Sequence, residues 1–111
     1  MAFTLSGVMM FCEIYVTAPT FDEAKRIANA IINEKLGACA NMHRITSVYR
    51  WQGNIEEGEE YALSIKTKTA LVEQVTARVR QLHSYENPCI ICFGITSGSS
   101  PYLDWIRDET L

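Results

Sequence analysis

The sequence is poor in the features that mark the commoner functional classes. No apolar run approaches the ~20 residues of a bilayer-spanning helix, and the opening MAFTLSGVMMFC has neither a basic start nor the long apolar stretch of a secretory leader. A membrane protein is therefore set aside, and the expected location is cytoplasmic. Positive charge is equally sparse. Ten Lys and Arg are outnumbered by 13 Asp and Glu, for a net charge of −3, and they are scattered among the acids, so the chain offers no basic footprint for a nucleic acid. There is no glycine-rich phosphate loop. The stretch Gly94 to Ser100 is short and leads into a helix. No activated nucleophile stands beside a general base in the sequence, which argues against an enzyme. Only two histidines, His43 and His83, are available as metal donors, and His43 reads as an exposed strand residue.

Four cysteines, Cys12, Cys39, Cys89 and Cys92, lie in apolar strand-like runs, as free thiols do under reducing conditions. The spacing Cys89-x-x-Cys92 looks like a metal or redox motif. On a strand, however, residues three apart point to opposite faces and cannot share a ligand.

What is present is order. The 111 residues suffice for one domain, 1–111, with a modest core. Val8 to Val16 is almost continuously apolar and reads as a buried strand that ends before Pro19. Thr20-Phe-Asp-Glu23 reads as a capping box opening a helix with Ala24, Ile27, Ala28, Ile31 and Leu36 on one stripe, stopped by Gly37.

From Ala38 to Trp51 runs a 14-residue extended arm, roughly 45 Å long at about 3.3 Å per residue. Its apolar side changes near His43–Arg44, which predicts a bulge there. The chain is expected to turn through IEEGEE, with Gly53, Asn54 and Gly58 as turn formers and the glutamates as a solvated acidic tip, and to return as YALSIKT. Thr69 can cap a second helix bearing Leu71, Val72, Val75, Val79 and Leu82. CIICFGI reads as a last strand, and Ser100-Pro101 opens a short terminal helix carrying Tyr102, Leu103, Trp105 and Ile106.

Strand, helix, strand, strand, helix, strand and a final helix give an α+β fold: a ferredoxin-like βαββαβ sandwich with a long protruding hairpin. The two flanking strands are apolar on both faces, whereas a sheet with one wet face should alternate. At ~25 cal/mol per Å², leaving several such side chains in water forfeits a few kcal/mol, a large share of the ~5–15 kcal/mol that holds a domain together. A symmetric homo-oligomer is the expected remedy.

The segments GACAN at 37–41, SVYRWQG at 47–53, LSIKT at 63–67, QLHSYENP at 81–88 and PYLDWI at 101–106 resemble those of the CutA divalent-cation-tolerance proteins, in order and from about Cys12 to Arg107. The resemblance implies a cytoplasmic, PII-like homotrimer associated with tolerance of copper and other divalent ions. It also implies architectural kinship with the trimeric PII signalling proteins, which bind nucleotides between subunits. Trp51, Lys66, His83, Tyr85, Glu86 and Trp105 resemble the family's residues around a cleft between subunits. The expectations that follow are His83 as a donor to Cu or Zn, and Trp51, Lys66, Tyr85, Glu86 and Trp105 as the wall of a ligand site. Two readings stand: a metal-responsive trimer binding an ion weakly near the cleft, and a PII-like sensor or scaffold taking a small anion there with metal incidental. For His83 itself, the plainer reading is a residue at a helix C-terminus bonded to a carbonyl. Tyr49, Trp51, Tyr102 and Trp105 can equally be interface packing. Two positions depart from the family. Ser84 stands within its His-Pro-Tyr, which should loosen the loop. Val16 stands where some relatives carry a cysteine proposed as a copper ligand.

Overall fold

The computed structural model describes residues 9–111, so the start of the first strand at Val8 lies outside the described residues. The elements are β1 (Phe11–Ala18), α1 (Phe21–Asn33), β2 (Cys39–Trp51), β3 (Asn54–Lys68), a 3₁₀ turn (Thr69–Leu71), α2 (Val72–Leu82), β4 (Ile90–Gly94) and α3 (Ser100–Asp108). All strand pairs are antiparallel and the sheet order is β2-β3-β1-β4. This is the ferredoxin-like arrangement that the order of elements predicts.

Register decides which residues face the helices. Ile14 pairs with Ile65 and Val16 with Leu63, while Ala40 and Met42 continue the same face onto β2. These side chains pack with Ile27 and Ile31 of α1 and Val75 and Val79 of α2 into one core. Each large aliphatic side chain buried there contributes about 1.5–3 kcal/mol. The opposite face carries Glu13, Tyr15 and Thr17 of β1 with Ala62, Ser64 and Lys66 of β3, and it extends to Ile91 and Phe93 on the edge strand β4. Ile91 and Phe93 are about half exposed. Helix α3 packs against β3, and its Ile106 is fully buried outside the main core.

Several local expectations are corrected. Helix α1 does not end on Gly37. Lys35 takes the left-handed conformation at φ 60°, and the amides of Lys35 and Leu36 donate back to the carbonyls of Ile32 and Ile31. Gly37 is needed for a different reason: a Cβ there would sit 2.8 Å from Ile65 Cγ2 and 3.0 Å from Ile31 Cγ2. The hairpin turns at Gln52-Gly53, both at positive φ, rather than through IEEGEE. A two-residue turn of that kind matches the right-handed twist of the flanking strands, so the glutamates become part of β3.

Near His43–Arg44 no bulge forms. Every residue from Cys39 to Trp51 pairs one to one with a partner between Lys66 and Asn54. The apolar side changes because the cover changes: up to Met42 the strand lies on the core, and farther out it outruns the two helices. Thr69 does not cap α2, since its hydroxyl donates to the Met9 carbonyl. Ser100 and Pro101 fall one position later than expected, with Ser99 as the cap residue of α3.

Candidate functional site

The hairpin root, the outward face of β1 and the loop after α2 enclose an open cleft of about 900 Å³. Each wall follows from local sequence. Alternation on β1 turns Tyr15 and Thr17 away from the core, because Ile14 and Val16 take the inner positions. Tyr49 and Trp51 point the same way from β2, and their cross-strand neighbours at that register are Glu56 and Asn54. Glu60, opposite Ile45, brings a carboxylate to the same side. Ser84 to Asn87 close the cleft from the other side, because Pro88 bars helical continuation and turns the chain toward β4.

Behind that loop lies a buried polar bracket. The side chain of His83 is fully buried; its Nε2–H donates to the Thr17 carbonyl at 2.7 Å, and its Nδ1 accepts the Tyr85 amide N–H at 3.0 Å. The Tyr85 amide can only donate, so this pairing makes Nδ1 the acceptor, and Glu23 Oε2 lies 3.3 Å from the same nitrogen. Glu23, also buried, accepts both the amide and the hydroxyl of Ser84 on Oε2, each at 3.0 Å. Only half of the expected capping box forms. Thr20 accepts from the Glu23 amide at 3.1 Å, but the Glu23 carboxylate crosses to the loop. Ser84 therefore tightens the loop, contrary to the loosening expected of it.

Tyr85 reaches over the cleft and donates its hydroxyl to Glu60 at 3.0 Å. Burial first, and the Glu60 carboxylate second, push its pKa up to about 12 from the ordinary 10.0, so the phenol stays neutral and keeps donating. Cys89 at the cleft edge is likewise raised, mainly by burial.

Of the residues singled out from sequence, Trp51, Tyr85 and Glu86 line this cleft together. His83 stands behind its wall. Lys66 lies elsewhere on the sheet, donating to Asn41 Oδ1 at 2.7 Å and Ser64 Oγ at 2.8 Å, while Ser64 donates to Glu13. Trp105 packs on Tyr102 of α3, ring centres 5.4 Å apart. Within one chain, neither Lys66 nor Trp105 reaches the cleft. Sequence reasoning missed Tyr15 and Thr17, and it read Glu60 as part of a solvated acidic tip able to attract cations weakly. The signals were there: the period-two alternation of β1, and the same alternation carried through the acidic segment once the turn is placed at Gln52-Gly53.

A metal centre on His83 does not fit this arrangement. Both ring nitrogens are engaged in structural hydrogen bonds, and no lone pair faces the cleft. Among the described residues, no three His, Cys, Asp or Glu side chains converge to hold an ion.

Four antiparallel strands under two helices, with a hairpin that outruns them and a cleft at its root, define a ferredoxin-like α+β protein with a projecting arm. Residues 12–109 match the family model described as CutA1 divalent ion tolerance protein, and the chain belongs to that family. Among its relatives is the divalent-cation tolerance protein CutA of Archaeoglobus fulgidus, 43% identical over 98 residues, which cover 88% of this chain and 95% of the relative. Protein CutA of Homo sapiens is 42% identical over 97 residues, 86% of this chain but 54% of the human protein. A solved structure described as the periplasmic divalent cation tolerance protein CutA from Archaeoglobus fulgidus superposes with a TM-score of 0.89 at 40% identity, covering 90% of this chain and 98% of that one. The divalent cation tolerance protein from Thermus thermophilus gives a TM-score of 0.88 at 39% identity, with 91% of this chain and 99% of that one covered.

Proposed function

We propose that this chain acts as a cytoplasmic homotrimer whose cleft at the hairpin root, completed by a neighbouring subunit, binds a small ligand and serves as a sensor or scaffold rather than an enzyme. In this reading the cellular response to divalent ions runs through the cleft and its ligand, with copper or zinc bound only loosely. The observation that carries it is the convergence of Trp51, Tyr85 and Glu86 on one cleft beside uncovered apolar surface. Val48, Trp51 and Ile55 on the hairpin and Ile91 and Phe93 on β4 are all about half exposed or more, and an arm of that kind needs a partner. A cleft of this size falls within the ~300–1,000 Å³ typical of small-molecule sites. Lys66 and Trp105 lie outside it, held by Asn41 and Ser64 and by Tyr102 respectively. The four cysteines are all free, in keeping with a reducing compartment. No helix of the described residues is long and apolar enough to cross a membrane.

The test is a ligand screen by thermal shift on the full chain, repeated on Trp51→Ala. A true cleft ligand raises the melting temperature of the parent and not of the variant. Equal shifts in both would remove the cleft as the site.

A further inference from the structure

The small-anion expectation leaned on Lys66, and the structure directs Lys66 into hydrogen bonds with Asn41 and Ser64 instead. Among the described residues of one chain, no lysine or arginine lines the cleft. One face of the hairpin mixes both signs, Arg44 and Arg50 with Glu57 and Glu59, and the other carries Glu56 and Glu60. Arg44 lies on the helix-facing side and is paired with Glu59 at 2.9 Å, and Arg50 shares its parity. The cleft side receives Glu60, and the loop adds Glu86. Glu23 stands directly behind the wall. Around these carboxylates stand the rings of Tyr15, Tyr49, Trp51 and Tyr85.

Charge and aromaticity together select a ligand class. Carboxylates alone would suit any cation, including a hydrated metal ion held by its water shell. Aromatic faces add nothing to a hydrated ion, but they attract an organic cation electrostatically through the ring quadrupole, by about 0.5–2 kcal/mol per contact. An anion could use the hydroxyls of Thr17, Thr46 and Ser47 and the amide of Asn87, but it would face the like charge of Glu60 and Glu86 with no lining cation of this chain to offset it. Tyr85 contributes as a neutral ring whose hydroxyl is spent on Glu60, leaving the second Glu60 oxygen for a ligand.

We infer that the cleft is a receptor for an organic cation, an alkylammonium or guanidinium group seated among Tyr15, Tyr49 and Trp51 and neutralised by Glu60 and Glu86. This rests on the cleft being the ligand site proposed above and names the chemistry of its ligand. The aromatic residues act as the cage, and the carboxylates set the sign of charge admitted.

The experiment follows Trp51 fluorescence in full-length Trp105→Phe protein, in which Trp51 is the sole indole, with calorimetry in parallel. The probes are tetramethylammonium and 1,4-diaminobutane, against sodium chloride at matched ionic strength and against inorganic phosphate and AMP. The ammonium probes are expected to saturate in the millimolar range or tighter, while sodium and both anions leave the signal unchanged. Glu60→Gln retains an acceptor for the Tyr85 hydroxyl while removing the charge. It should weaken binding about tenfold, ~1.4 kcal/mol, and Lys66→Ala should leave it unaltered. If phosphate or AMP moves Trp51 and the ammonium probes do not, the cleft survives as a ligand site and the cation assignment is overturned. If no probe moves Trp51, or if calorimetric ammonium binding persists unchanged in Trp51→Ala, both the cleft and its chemistry are rejected.

Discussion

The Nε2 of His83 lies 2.7 Å from the carbonyl oxygen of Thr17, so the imidazole fastens the end of α2 to β1. Its other nitrogen receives the Tyr85 amide, which leaves the ring a structural bracket with the cleft on its far side. Replacing His83 with Ala removes both bonds and empties the space of a fully buried ring, and should lower stability by about 2–3 kcal/mol in chemical denaturation. Calorimetric affinity for Zn(II) or Cu(II) should not change. A variant that kept its midpoint yet lost metal binding would reinstate the imidazole as a ligand.

Ser84→Ala removes one of two hydrogen bonds to a buried carboxylate. A loss of about 1–2 kcal/mol is expected, because bonds to charged groups exceed neutral ones. Thermal melts of parent and variant at neutral pH measure it. No change would mean that the Ser84 amide alone satisfies Glu23.

The phenol of Tyr85, raised to about 12, has a simple pH signature. Its neutral form is favoured in the folded state, so its contribution is complete below the ordinary pKa of 10.0 and declines as pH climbs from there through about 12. The ultraviolet titration of the parent minus that of Tyr85→Phe should show one phenolate appearing near pH 12. A difference curve centred at the ordinary 10.0 would contradict the contact with Glu60.

Helix α1 stops at Lys35 and not at Gly37, and a pair of variants separates the two roles. Gly37→Ala forces a methyl against Ile65 and Ile31 and should cost about 1–3 kcal/mol. Lys35→Gly relieves a left-handed side-chain conformation and should be neutral or stabilising by up to about 1 kcal/mol. Denaturant midpoints decide it, and the reverse order of effects would restore Gly37 as the helix stop.

The fold was legible because periodicity is read over whole elements: β1, α1, α2 and α3 each carried an apolar pattern long enough to fix type and order. Three details were not. The turn at Gln52-Gly53 competed with a second glycine at Gly58, and composition alone could not rank them. The apparent bulge at His43–Arg44 came from reading a change of neighbours as a change of register. Gly37 looked like a helix stop because sequence shows the absence of a side chain, not what would collide with one. At the site, Trp51, Tyr85 and Glu86 were found by resemblance, whereas Lys66 and His83 were given ligand roles that their own hydrogen bonds preclude or redirect. Those bonds link residues far apart in sequence, His83 with Thr17 and Lys66 with Asn41, and no local pattern announces them.

The proposed trimer would cover the open face of the sheet and the projecting hairpin, and sedimentation equilibrium of the full chain at micromolar concentration tests it most directly. The expected result is a single species of three 12.5 kDa chains, stable to dilution. A folded species at the mass of one chain, with Ile91, Phe93 and Trp51 left in water, would contradict it.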